Sequence, residues 1–461
     1  MEINMTKKAV ALLVFPSIIL ANVITFEDAL SLTMQNSKEL KAKKLSIATS
    51  EQSLAEADAY NYGKLAFNGT VTNTNNAGHV FGMKLAQREA SFKDFGFSEF
   101  SMTNPNILNV EPNDLNYPDA RTNVESKLSY DIPLFTGFKL QNAKDMAKLQ
   151  ILATKAKYSH DNKQIGLQVL QAYNGAVAAK EFISMIENAR TVTDRFVKTS
   201  QDMYENQLTR IIDVKQAKMA KHSISTKLKE AKTKFKLAIS YLQFLTSDDT
   251  ISDVASYTEF CVNASELETL QHDAIERRDD YRWMKYNTDT MKKKVDYENS
   301  SAYPTIGAHV EYSMNAQHVD YSAEKAAYLG AVGLSYTLFD GSVASIQKQK
   351  AIIEHTKTKL YFEHMKNGID LEVKKNFLDF KTQESTLFEK EKTQEMSEDI
   401  LAETEKVYRN NLKFRTNMMY LLMSLESMIK SQADVIMSNY ELTMSSGRLM
   451  LSVGKSLKDA K

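Results

Sequence analysis

Tyr204-Glu205-Asn206-Gln207-Leu208 and Tyr408-Arg409-Asn410-Asn411-Leu412 are near-copies of each other, 204 positions apart. The offset holds well outward from them. Gly137 and Gly341, Lys155 and Lys359, Tyr158 and Phe362, His160 and His364, and Tyr173 and Phe377 all keep it. One inserted residue would rotate everything beyond it by about 100° on a helix. An ungapped register of this length therefore predicts one continuous rod in each half of a tandem duplication. The prolines agree, since all six are Pro16, Pro105, Pro112, Pro118, Pro133 and Pro304, and 134–303 and 305–461 are clear. Glycine is scarce too: only Gly166 and Gly175 lie between Gly137 and Gly307, and only Gly368 between Gly341 and Gly447. Proline costs about 3 kcal/mol and glycine about 1 kcal/mol inside a helix, so these windows are cleared for helix. A helix from Gly137 to Tyr204 would measure roughly 100 Å, which predicts an elongated coiled structure rather than a globular one.

The period of the apolar residues supports a coil. Val373, Phe380, Leu387, Gln394, Leu401 and Tyr408 are spaced by seven, and their counterparts are Val169, Ala176, Ile183, Arg190, Val197 and Tyr204. A seam of period seven marks a coiled coil, and a polar residue within it fixes register at some cost in stability. The interruption falls at the same place in both copies, at Arg190 and Gln394. These seam residues are expected to pack a core and nothing more.

Lys+Arg and Asp+Glu are both 58, so the net charge is zero and the chain carries no electrostatic footprint for nucleic acid. Lys7 and Lys8, then the apolar run Ala9 to Leu20, then Ala21 predict a secretory signal peptide over 1–21. No later run is long and apolar enough for a membrane helix. Cys261 is the only cysteine, which excludes an intramolecular disulfide and reads as a small packing residue.

Strands remain a way to cross a membrane. In 65–72, Leu65, Phe67, Gly69 and Val71 alternate with Ala66, Asn68, Thr70 and Thr72. In 123–134, Val124, Leu128, Tyr130, Ile132 and Leu134 alternate with Asn123, Glu125, Lys127, Ser129 and Asp131. In 306–314, Ile306, Ala308, Val310, Tyr312 and Met314 share one face, and in 328–338 so do Tyr328, Val332, Leu334, Tyr336 and Leu338. Each segment approaches the nine to eleven residues, roughly, of a tilted membrane strand. Upstream of them the repeat offset is 241, in Leu40/Tyr281, Tyr62/Tyr303 and Leu65/Ile306. The 37 extra residues fall in 73–121, whose Pro105, Pro112, Pro118 and three glycines predict a long loop.

The expected organisation is a signal peptide at 1–21 and a first repeat over 22–246, with a strand hairpin at 63–135 and helices at 138–206 and 211–246. A linker follows at 247–264. The second repeat covers 265–453, with a hairpin at 303–339 and helices at 342–410 and 416–453, before a tail at 454–461. Two hairpins cannot close a barrel, and an open sheet edge is prohibitive in lipid, so the chain is expected to oligomerise.

Tyr303-Pro304 before a strand, and Leu134-Phe135-Thr136-Gly137 and Leu338-Phe339-Asp340-Gly341 after strands, carry a resemblance. In matching places of a duplicated chain they resemble the outer membrane efflux protein family, typified by TolC, from about Thr25 to Gly454. The resemblance implies a mainly α fold with a β-barrel part: a homotrimer with four membrane strands per protomer, a twelve-stranded barrel and an α-helical periplasmic tunnel. It implies a channel-tunnel of a tripartite efflux or type I secretion system, a passive conduit in the outer membrane. The implied partners are a periplasmic adaptor, an inner-membrane pump of RND or ABC type, outer membrane lipid, and exported small molecules or proteins, with no cofactor.

The implied functional residues lie at the helix tips. Tyr204 to Asp213 resembles the family's first tip without a gap, and Asp213 falls on a gate aspartate. Tyr408 falls on the gate tyrosine; beyond it three extra residues precede Met419, leaving Arg415 or the rival Lys413 as the gate arginine's counterpart. Tyr420 and Met423 stand where the family has two pore-ringing aspartates, which argues against an acidic ring. Asn206, Gln207, Leu208, Asn410, Asn411 and Leu412 are the expected adaptor contacts, with Gln207 and Asn411 in place of a tip glycine. On the residues alone, Asp213 also reads as a helix-start carboxylate, and Tyr408 as the last seam residue of its coil.

No enzyme is expected. Val453-Gly454-Lys455-Ser456 lacks the spacing and preceding strand of a phosphate loop, because six residues rather than four separate Gly447 from Gly454. The eight histidines are scattered; His355 and His364 are nine apart, and His309 and His318 read as lumen or loop positions. Met418, Met419 and Met423 read as packing rather than copper ligands, and Asp279-Asp280 as a solvated helix start. The alternative is a periplasmic adaptor (membrane fusion) protein with coiled-coil hairpins. Such proteins carry one hairpin between two β halves, whereas here both halves carry coils and strands.

Overall fold

A computed structural model describes residues 22–258, 260, 266–410 and 417–459. The predicted signal peptide, Cys261, Asn411, Leu412, Lys413 and Arg415 lie outside the described residues. In chain order the elements are β1 (Asn22–Ile24), α1 (Phe26–Asn36), α2 (Lys38–Ala59), β2 (Lys64–Thr74), α3 (Ala77–Ala86), α4 (Asn113–Asn116), β3 (Arg121–Phe135), α5 (Lys139–Glu205), α6 (Ile211–Thr246) and β4 (Ile251–Val254). Then follow α7 (Leu267–Arg277), α8 (Asp279–Asn299), β5 (Thr305–Ala316), β6 (Ala326–Ser335), α9 (Val343–Arg409) and α10 (Met418–Ser452). The chain is mostly helical with a small sheet part. No described helix is long and apolar enough to cross a membrane. Two compact units divide it: the chain up to Leu45 with Ala156–Arg282 and the chain from Glu363 on, and Ser46–Lys155 with Trp283–Phe362.

The second unit holds one antiparallel sheet in the order β2-β3-β5-β6. Its register puts the apolar positions opposite one another. Leu65 pairs with Tyr130 and Tyr130 with Val310; Phe67 pairs with Leu128, Leu128 with Tyr312, and Tyr312 with Tyr328. Residues paired across strands share a face, so one face is apolar across all four strands. Phe67, Tyr312, Tyr328 and Val332 on it are exposed. The opposite face carries Asn68, Lys127 and Ser313 in one row and Lys64, Asp131 and His309 in another. There Lys127 reaches Glu311 at 3.4 Å, and His309 Nδ1 lies 2.7 Å from Asp131. The fourth strand ends at Ser335, so Tyr336 and Leu338 lie past it, because the chain turns there toward Gly341 and α9.

The turns into α5 and α9 repeat the duplication in the backbone. Gly137 and Phe138 are both left-handed (φ 62° and 67°), and so are Gly341 and Ser342 (φ 68° and 70°). Left-handed geometry costs an L-residue roughly 1–2 kcal/mol. Two such residues at matched places mark one reversal used twice.

The first unit is built on helix packing. Phe26, Leu30, Val169, Leu170, Tyr173, Leu242 and Ile251 form one core. Within the predicted linker, β4 pairs in parallel with β1, and the buried Ile251 and Val254 seal that core. A second core joins Met185, Phe196 and Met203 of α5 to Leu228 of α6, Leu401 and Tyr408 of α9, and Leu421 and Leu425 of α10.

The heptad reading holds for Val373, Phe380, Leu401 and Tyr408, all buried. It fails along α5. Val169 and Ala176 are buried, but Arg190 and Tyr204 are exposed, and Ala189, Phe196 and Met203 are buried instead. Twenty residues at about 100° each put Val169 and Ala189 on opposite sides of the helix. The helix changes the face it buries between the two cores, so Arg190 is not a polar seam residue.

Asp279 and Asp280 are not solvated. They begin α8, yet each is less than a tenth exposed. Asp279 meets Lys163 at 2.7 Å, Arg282 at 3.0 Å and the Ser159 hydroxyl at 2.7 Å. Asp280 is held by both arms of Arg278, at 3.0 and 2.7 Å. Arg278 also donates to Glu372 at 2.7 Å and to the Ser452 carbonyl at 3.2 Å.

Candidate functional site

The end of α5 follows from a few hydrogen bonds. Gln207 N–H donates to the Tyr204 carbonyl at 3.0 Å, and Leu208 N–H reaches back to the Met203 carbonyl at 2.8 Å. This pair is a Schellman cap, whose C′ residue must be left-handed and is usually glycine. Here it is Gln207, at φ 57°. Asn206 Nδ2 donates to the Asp202 carbonyl at 2.8 Å, adding a local bond that steadies the turn. Asn206, Gln207, Leu208 and Asn410 are all exposed, while Asn411 and Leu412 lie outside the described residues.

Asp213 sits in the first turn of α6, and its carboxylate accepts from the Thr209 hydroxyl and from Arg210 N–H at 3.4 Å. It is thus a helix-start carboxylate, as one of its two sequence readings has it, and it is buried. Tyr408, at the end of α9, packs in the same core and is 3 % exposed. Burial pushes the Tyr408 phenol up; Thr209 offsets part of that and the Asp213 charge adds to it. Among the described residues, no group meets the Tyr408 hydroxyl at hydrogen-bonding distance and angle. The structure thus brings Tyr408, Thr209 and Asp213 together across the two halves. Its repeat counterpart Tyr204 is 40 % exposed, so only the second-half tyrosine serves this core. Thr209 was missed in the sequence; it lies four residues before Asp213, one more than a capping box has, so no local spacing marked it.

Tyr420 and Met423 are exposed and line an open groove with Glu403, Thr404 and Val407. Among the described residues Glu403 is the only acid in that lining, and Tyr420 and Met423 bring no carboxylates of their own. Arg195 and Arg409 both hold Glu405, at 3.0 and 3.1 Å, tying the ends of α5 and α9. Among the described residues no cluster of His, Cys, Asp or Glu could hold a metal ion.

Solved structures share the fold of this chain. CusC aligns at TM-score 0.76 with 12% identity, over 94% of this chain and 92% of that one. The outer membrane protein VceC of Vibrio cholerae aligns at 0.75 with 14% identity, over 94% and 96%. The chain has their fold. The Neisseria gonorrhoeae MtrE outer membrane channel, in its open state, aligns at 0.73 with 11% identity, over 94% and 89%. No family model matches the chain, and no curated protein does.

Proposed function

We propose that three copies of this chain form an outer-membrane channel, their strands closing one twelve-stranded barrel and their helices extending it into the periplasm. The carrying observation is the sheet: one exposed apolar face, one polar face, and free edges at β2 and β6. Lipid suits the apolar face and a water-filled lumen the polar one. A free edge in hydrocarbon leaves backbone groups unpaired, which only closure with other copies removes. The channel is a passive conduit in a tripartite efflux or type I secretion system. It docks a periplasmic adaptor through Asn206–Leu208 and Asn410–Leu412, and works with an inner-membrane pump of RND or ABC type. The shared fold of CusC, VceC and MtrE supports this reading. In an outer-membrane fraction, the protein is expected to run as a trimer that boiling dissociates. A detergent-purified monomer keeping full strand content would sink the proposal.

The same reading makes Tyr408, Asp213 and a basic residue, Arg415 or Lys413, the closure of the periplasmic end. Losing the Tyr408 hydroxyl forfeits no hydrogen bond to a described group of its own chain. Tyr408→Phe should therefore change stability by less than about 1 kcal/mol. Paired with Arg415→Ser it should nevertheless raise single-channel conductance in planar bilayers, by more than either change alone. With Tyr420 and Met423 in place of carboxylates, trivalent cations added on the periplasmic side should not block the wild-type pore. Conductance unchanged in the double variant removes these residues from the gate.

A further inference from the structure

Residues 75–120 join β2 to β3, and they fold instead of looping freely. Val80 of α3 is buried, and Phe81 meets Phe95 edge to face at 5.1 Å. Lys84 pairs with Asp94 at 2.5 Å. Gly96 is left-handed (φ 83°), and any Cβ there would lie 2.5 Å from the Pro112 ring, so this glycine lets the middle of the insertion pack against its later part.

Residues 87–89 tie this body to the sheet. Gln87 is fully buried. Its Nε2 donates to the Thr122 carbonyl at 3.0 Å and to Asn123 Oδ1 at 2.8 Å, and its Oε1 accepts from Arg121 Nε at 2.7 Å. Its carbonyl accepts from Lys325 at 2.7 Å. Glu89 accepts from Lys325 at 2.7 Å, from Gln317 at 3.1 Å and from Arg121. Arg88, itself left-handed, donates to the Ala326 carbonyl at 2.7 Å.

The side chains holding this segment share a side. Arg121 and Asn123 belong to the odd-numbered row of β3, with Glu125 and Lys127, on the polar face. Gln317 directly follows β5 and Lys325 directly precedes β6, in step with the odd-numbered rows of those strands. The segment therefore runs from β3 past β5 to β6 on the side of the polar face. Lys325 foremost, against the opposing effect of burial, holds the Glu89 carboxyl below the usual range, so the clamp is ionised at neutral pH.

We propose that residues 87–89 are a strap across the channel mouth. In the closed barrel three copies cross the lumen and limit the size of solute that passes at the loop end of the strands. This rests on the barrel reading above. The test uses intact cells, a Cys261→Ser background, and small and bulky membrane-impermeant maleimides. Asn68→Cys, on the polar face, reports the lumen, and the exposed Met102→Cys reports the outside. Both reagents should label Met102→Cys. Only the small one should label Asn68→Cys while the strap is intact. Adding Arg121→Ala and Lys325→Ala, or replacing 76–119 by a short Gly-Ser linker, should bring bulky-reagent labelling up to the level of the small reagent. Bulky labelling with the strap intact overturns the proposal, as does bulky exclusion after the insertion is removed. Labelling on deletion but not in the clamp variant overturns the assignment to residues 87–89. If neither reagent reaches Asn68→Cys in a heat-labile trimer lacking the insertion, the barrel orientation fails instead.

Discussion

Arg278→Met is expected to destabilise the helical unit by about 3–5 kcal/mol, the usual cost of removing one partner from a buried ion pair. Arg278 is 9 % exposed and satisfies Asp280 through two bonds, while also reaching Glu372 and the Ser452 carbonyl. Methionine fills the space but strands Asp280. Glu372 keeps access to water, so the loss centres on Asp280. The double variant Arg278→Met/Asp280→Leu should recover much of the loss, since neither charge then remains buried alone. The acid limb follows from the same pair. Burial opposes ionisation of Asp280, but Arg278 prevails and holds its carboxyl below the usual range, with His160 helping. A group lowered in this way adds stability that is present above its unfolded pKa and is lost as pH falls through the lowered native one. Thermal melts of the detergent-solubilised protein, followed by far-UV circular dichroism, should show both effects. A single variant as stable as wild type would show that water reaches Asp280.

Gly137→Ala should abolish heat-labile trimer in the membrane fraction, whereas Gly341→Ala should leave most of it. Both glycines are left-handed, which costs alanine roughly 1–2 kcal/mol at either place. Only Gly137 is also crowded: a Cβ there would lie 2.5 Å from the Ser300 carbonyl oxygen and 2.9 Å from Tyr303 Cβ. The carbonyl is backbone and cannot swing aside. At Gly341 a Cβ would meet nothing within 4 Å among the described residues, its chain neighbours aside. Quantitative immunoblots of unboiled and boiled samples separate the two, and equal losses at both sites would mean that the left-handed geometry, rather than the crowding, decides.

The rods and the membrane-type alternation were legible because they rest on periods. Val373, Phe380, Leu401 and Tyr408 repeat by seven and are buried, and Phe67, Leu128, Tyr312 and Tyr328 alternate and align across four strands. Features set by a single contact left no such trace. β4 is only four residues long, too short for a period, and its partner lies at the other end of the first half. Asp279 and Asp280 read as any acidic helix start in the sequence; what buries them is Lys163 from α5 and Arg278, two residues upstream, folding back onto Asp280. Tyr204 and Tyr408 occupy one register position, yet α5 has turned its face and α9 has not. At the tip, Tyr408 and Asp213 were found by likeness to known channels; their meeting with Thr209 depends on two helix ends that no local pattern connects.

The short parallel pairing of β1 with β4 also orders events in time. Asn22 is bonded opposite Ile251, a partner made about 230 residues later, and contacts so far apart in sequence form slowly. Phe26 and Leu30 await the same core, which also takes in Met444 and Leu457 near the far end of the chain. The start of the first repeat is thus among the last parts of that core to be fixed. Until the second half has been delivered, the apolar start of the first has nowhere to go, and a chain interrupted in transit keeps that surface open to aggregation.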